Sequence, residues 1–124
     1  MKTPPASGLE VRTKRFALQV IELFSDLPKT PVGQVLGRQL LRSGTSVGAQ
    51  YREAMRGKSP ADFISKIEGS LQEIEETRYW LDLLVESRTI SEVRISAVRK
   101  EAEELLAMLA ASVRTAKHNK SKVS

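Results

Sequence analysis

The 124-residue chain has no cysteine. That excludes disulfides, thiolate metal sites and thiol nucleophiles, and it fits a reducing compartment. There is a single histidine, His118, with no serine, cysteine or carboxylate beside it to build a proton relay. No uninterrupted run of roughly 18 apolar residues exists to cross a bilayer, and the first 30 residues carry no apolar signal core. These absences predict a soluble cytoplasmic protein with no membrane partner. No alternating strand pattern of useful length occurs either.

What is present is ordinary for a globular chain of one domain: 40% hydrophobic and 28% charged residues, with a net charge of +5. The charge is unevenly placed. Residues 32–59 hold Arg38, Arg42, Arg52, Arg56 and Lys58 against Glu53 alone, whereas residues 60–87 hold seven acids against Lys66 and Arg78. The last eleven residues add Arg114, Lys117, Lys120 and Lys122 without an acid.

The start, MKTPPASG, has two prolines and no periodicity, so residues 1–11 are expected to be a flexible arm. From about Arg12, Phe16, Val20, Leu23, Phe24 and Leu27 recur at helical spacing up to Pro28 and Pro31. A second helix runs from about Val32 to Arg56. Ser59-Pro60, with Asp62 following, marks a fresh helix start. The third helix repeats Ile64, Ile67, Leu71, Ile74, Leu81 and Val85, with Arg78 at the one charged place in that series. The fourth starts near Ser91 and repeats Ile95, Val98, Ala102, Leu105, Leu109 and Val113. The short links predict an all-α, antiparallel up-down-up-down four-helix bundle over residues 12–114, followed by a flexible basic tail over 115–124.

The second helix holds the sharpest feature. At about 100° per residue, Arg38, Arg42, Arg52 and Arg56 fall within about 40° of one line, opposite Leu36, Leu40, Val47, Tyr51 and Ala54. Such a stripe is either a solvated face pairing with Glu73, Glu75 and Glu76 of the third helix, or a ridge that binds nucleic-acid phosphates, since guanidinium forks match phosphate oxygens. Aromatics are not interleaved with it, so base stacking has little support. Gly44 and Gly48 sit one turn apart on a flank. Each costs a helix about 0.8 to 1 kcal/mol relative to Ala. The offset is either room for a bulky neighbour such as Trp80, Tyr79 or Phe63, or close approach of another helix or subunit.

Enzyme motifs are wanting. Gly57-Lys58-Ser59 lacks the earlier glycine of a P-loop, where Arg52 stands, and also the preceding strand. The third-helix acids lack the Glu-x-x-His pairs of di-metal bundles. No cofactor, metal or catalytic residue is therefore expected. Glu53, beside the arginine stripe, is placed to fix Arg52 or Arg56, or to reach Arg78.

LLRSGTSVGAQYREA, followed by SPADFISKIEGSLQEIEETRYWLDLL, resembles the four-helix-bundle proteins named after the intervening sequences of bacterial 23S ribosomal RNA genes. The strongest signals are Arg42 to Val47 and the Glu-Thr-x-Tyr-Trp-Leu pattern at Glu76 to Leu81, within a likeness from about Phe16 to Leu109. The resemblance implies a bundle without known catalysis, often assembled as a ring-like homopentamer. Related accessory proteins of diversity-generating retroelements associate with a reverse transcriptase and nucleic acid. Partners implied in this way are further copies of the chain, RNA or DNA, and a reverse transcriptase. One departure is Gln50, where the family has Asn.

Overall fold

The computed structural model describes residues 4–123, with side chains described for 8–122. Four helices follow one another: α1 (Pro4–Ser25), α2 (Pro31–Met55), α3 (Pro60–Glu86) and α4 (Glu92–Val123). Contacts between them fix the topology. Gly37, Gly44 and Gly48 of α2 meet Phe24, Val20 and Thr13 of α1 in reversed order. Ser43 and Val47 meet Thr77 and Ser70 of α3, and Glu68, Arg78 and Asp82 of α3 meet Lys117, Glu103 and Arg99 of α4. Each successive helix is antiparallel to the last, so the bundle is up-down-up-down as expected. No helix among the described residues is long and apolar enough to cross a membrane.

The core is the seam that the periodicity marks out. Phe16, Val20 and Leu23 of α1, Leu40 and Val47 of α2, Ile67, Ile74 and Leu81 of α3, and Ile95, Leu105 and Leu109 of α4 are all fully buried. Leu71 and Val85 lie at the edge of this cluster, half-buried. Arg78 also sits at the edge, where its guanidinium reaches Glu75 and Glu103.

The helices start and stop for local reasons. Thr30 and Ser59 are N-caps whose hydroxyls accept from the amides of Gly33 and Asp62, each followed by a proline in the first turn. A Cβ on Gly33 would lie 2.4 Å from the Pro28 carbonyl oxygen, so this turn is closed by backbone packed on backbone. At the end of α3, Thr89 N–H donates to the Leu84 carbonyl and Arg88 N–H to that of Val85, the Schellman pattern. The residue in the left-handed position is Arg88, at φ 62°, where glycine is usual. Arg88→Gly is therefore expected to stabilise the protein by about 0.5 to 1 kcal/mol, because the left-handed cost to a side-chain-bearing residue exceeds the added unfolded-state entropy of glycine. A denaturation midpoint that falls instead would show that the Arg88 side chain stabilises the turn.

Both ends of the bundle differ from the sequence expectation. Residues 1–3 and 124 lie outside the described residues. From Pro4 the chain is already helical, and Leu9 is buried, so the bundle begins ahead of Arg12. Prolines in the first turn are compatible with this, because first-turn amides have no intrahelical partner. At the other end α4 continues through residues 115–123 as helix, with Lys117 Nζ 2.9 Å from Glu68, instead of ending at Arg114.

Candidate nucleic-acid interface

The α2 helix lies between α1 and α3, and its small residues explain how it fits. On the α1 side a Cβ at Gly44 would come within 2.7 Å of Val20, one at Gly48 within 3.1 Å of Thr13, and one at Gly37 within 2.8 Å of Leu27. The glycine flank is thus the line along which α1 seats, and the neighbours are not Trp80, Tyr79 or Phe63. Gly33 and Gly37 belong to the same line, with spacings of four, seven and four residues from 33 to 48. That repeat is the signal that places them with Gly44 and Gly48.

On the α3 side the small residues serve hydrogen bonds. Thr77 Oγ1 donates to Ser43 Oγ at 2.9 Å and Ser70 Oγ to the Val47 carbonyl at 2.8 Å, both fully buried. Gln50 lays its amide over Gly69, where a Cβ would be 2.4 Å from Gln50 Oε1. A longer amide at position 50 is accommodated because position 69 has no side chain. Thr45 and Ser46 return their hydroxyls to the carbonyls of Leu41 and Arg42, so they present little free polarity outward.

The arginine stripe is exposed but not uniform. Arg38 has only Gln34 Oε1 at 3.2 Å, and Arg56 has no carboxylate within ion-pair reach among the described residues. Between them, Arg42 reaches across to Glu73 at 3.4 Å and also bonds Glu76. Arg52 lies 3.7 Å from Glu10 of α1. The geometry therefore gives two unpaired cations at the ends of the stripe and two partly neutralised ones between them. Glu53 turns to Lys66 at 3.1 Å, not to Arg52, Arg56 or Arg78, and this contact is the first cause that raises the Lys66 ammonium above its usual range.

Most of the acids on α3 are engaged inside the bundle: Glu68 with Lys117, Glu75 with Arg78, and Asp82 with Arg99. Hydrogen bonds to Glu92, then to Asp82, raise the Arg99 guanidinium further. Burial, followed by the charge of Glu10, pushes the Tyr51 phenol up. No group of three or more His, Asp or Glu side chains that could hold a metal occurs among the described residues. His118 is exposed on the last turns of α4.

A shallow groove runs beside the stripe, lined by Lys14, Ala17, Thr45, Gly48, Ala49 and Arg52. The outer side of α1 next to it carries Val11, Leu18 and Ile21, all more than 40% exposed. Sequence reasoning missed this apolar outer strip, which lies off the main stripe of α1.

The sequence profile of the 23S rRNA-intervening sequence proteins matches residues 10–111. This chain belongs to that family. Its fold is similar to a solved structure of a protein of unknown function from the S23 ribosomal protein family of Bacteroides thetaiotaomicron VPI-5482, at 32% identity. The similarity covers 89% of this chain and 98% of that one, with a TM-score of 0.83. No curated protein matches the chain. The family match spans all four helices, including the arginine stripe of α2 and the glycine line beneath it.

Proposed function

We propose that this protein is a non-enzymatic, homo-oligomeric bundle that holds nucleic acid through the outward arginines of α2. The observation that carries this reading is the exposure of Arg38 and Arg56 without a carboxylate partner, on a stripe shared with Arg42 and Arg52. Isolated surface charges of this kind contribute little to stability. Their 18-residue separation corresponds to about 27 Å of helix, or roughly eight base-pair steps along a duplex axis.

Oligomerisation, with the pentamer that the family resemblance implies, is supported by the apolar strip of Val11, Leu18 and Ile21, which stand 53%, 57% and 43% exposed. Assembly would repeat the stripe around a ring and multiply phosphate contacts. Nucleic acid, further copies of the chain and, through the resemblance, a reverse transcriptase are the partners of this reading.

The test is binding of a labelled 20-base-pair RNA duplex across a salt series. Each neutralised phosphate contributes about 0.9 to the slope of log affinity against log salt. Arg38→Gln with Arg56→Gln should lower that slope by about 2 and affinity by about tenfold at low salt. An unchanged slope would refute the stripe as the contact.

A second reading, a protein-docking scaffold without nucleic acid, is favoured by the pairing of Arg42 with Glu73 and Glu76 and by the same apolar strip. It requires that no salt-dependent duplex binding is seen and that Leu18→Lys reduces the mass of the assembly in solution.

A further inference from the structure

Beyond its last buried residue, Val113, α4 runs on to Val123, and among the described residues its apolar anchorage there is the half-buried Ala116 beside Phe63. Residues 114–122 are RTAKHNKSK, with Arg114, Lys117, Lys120 and Lys122 and no acid. None of the nine is buried. Thr115, His118, Asn119 and Ser121 are indifferent helix formers, and a polar segment this short is marginal as a helix by itself. Its helicity is carried by the preceding turns and by cations near a helix C-terminus, which complement the dipole.

This extension stands beside the start of α3. Lys117, Lys120 and Ser121 share an open groove with Ala61, Ile64, Ser65 and Glu68, and Lys58 precedes the N-cap Ser59 at the same end. Arg56 lies in the same turn as Lys58. Of the acids nearby, two are paired with lysines, Glu68 with Lys117 and Glu53 with Lys66, and the third, Asp62, holds the backbone amide of Lys58. One end of the bundle thus gathers Arg56, Lys58, Arg114 and Lys122 with no opposing carboxylate in ion-pair reach among the described residues.

We propose that this end of the bundle, the free end of α4 with the α2–α3 turn, is a second phosphate-binding site that takes the backbone of a nucleic acid. The inference rests on the nucleic-acid reading above and extends it from the side of α2 to the pole where Arg56 stands. Two observations favour nucleic acid over an anionic membrane. The segment has no aromatic or large aliphatic side chain to insert among lipid chains, and its cations are not confined to the polar side of an amphipathic helix. Along the helix, cations one turn apart are spaced about 5 to 6 Å, within reach of successive phosphates. Phosphate binding also relieves repulsion within the cluster, so ligand and helix order should rise together.

The experiment uses the full chain, the triple variant Arg114→Gln, Lys117→Gln, Lys122→Gln, and the stripe variant Arg38→Gln alone, with the same 20-base-pair RNA duplex. The triple variant is expected to lower the salt slope by about 2 to 3 while assembly mass is unchanged. Lys117→Arg with Lys122→Arg should keep the slope, since charge and not shape is needed. Amide exchange in residues 114–122 should slow when duplex is added to the unaltered chain. An unchanged slope in the triple variant, with a lowered slope in Arg38→Gln, overturns this site and leaves the α2 reading standing. A lowered slope in the triple variant alone supports the pole and removes the stripe. Absence of duplex binding overturns both, and binding of phosphatidylserine vesicles with equal affinity overturns the nucleic-acid assignment of the pole.

Discussion

Gly44→Leu is expected to lower the unfolding free energy by about 3 kcal/mol, the upper part of the usual overpacking range. A Cβ at this position would already sit 2.7 and 2.8 Å from the two methyls of Val20, which is itself fully buried and β-branched. A branched side chain in a helix has little rotamer freedom with which to move aside. Leucine returns most of the helix propensity that glycine forgoes, about 0.8 to 1 kcal/mol, so the clash must outweigh that gain for the net loss to appear. For a chain of this size the loss corresponds to a fall in Tm of roughly 10 °C. The pair Gly44→Ala and Val20→Ala gives a sharper test. The two changes should compensate by about 1 kcal/mol or more in a double-mutant cycle, whereas strictly additive costs would show that the two residues do not press on each other. Gly8, in α1, whose Cβ would meet nothing within 4 Å, is the comparison in which the propensity gain appears without a clash.

The second large effect is expected at the seam between α1 and α4, the least extensive of the four helix–helix contacts. Arg12 spans it. Its Nε and Nη2 donate to the two oxygens of Glu101 at 2.9 and 2.7 Å, and Nη2 also donates to Glu104 at 2.8 Å. These hydrogen bonds hold the guanidinium pKa well above its ordinary value, Glu101 contributing most. The Arg12 side chain is 29% exposed and that of Glu101 20%. Arg12→Met keeps the apolar stem but leaves Glu101 half-desolvated and without its cation, so a loss of about 2 kcal/mol is expected after allowing for solvent screening. Hydrogen exchange should localise the damage, with amides of α1 losing protection before those of α2 and α3. Uniform loss across all four helices would mean that Arg12 contributes only to global stability.

Much of this architecture is legible in the chain because the four apolar stripes obey one period, and each link is marked by Pro28 and Pro31, by Ser59-Pro60 or by a short polar break. The two ends were not legible. Pro4, Pro5 and Gly8 look like a loop until one sees that the first turn of a helix tolerates them, and the end of α4 has no apolar period to reveal it. Arg88 gives no local sign of a left-handed turn, because only the hydrogen bonds to Leu84 and Val85 demand that conformation.

At the candidate interface, periodicity places Arg38, Arg42, Arg52 and Arg56 on one outward line and offers the third-helix acids as partners, of which Glu73 and Glu76 do engage Arg42; which arginine they reach, and that Glu10 meets Arg52, it does not say. That depends on how α1 and α3 are set beside α2. Glu10 and Glu76, which engage Arg52 and Arg42, are separated from those arginines by 42 and 34 positions respectively. The Arg12 clamp is more distant still in sequence and lacks any motif. Glycines 33 and 37 were within reach of a spacing argument, and their partners, Pro28 in the link and Phe24 and Leu27 at the end of α1 and beyond it, were not.

Because Thr13, Val20, Phe24 and Leu27 are received by Gly48, Gly44 and Gly37 at contact distance, α1 has a single permitted azimuth about its own axis. It cannot roll to hide Leu18 or Ile21. The greasy flank it turns to the solvent is therefore enforced by the seating of its opposite flank, as the teeth of a key fix which way its bow faces.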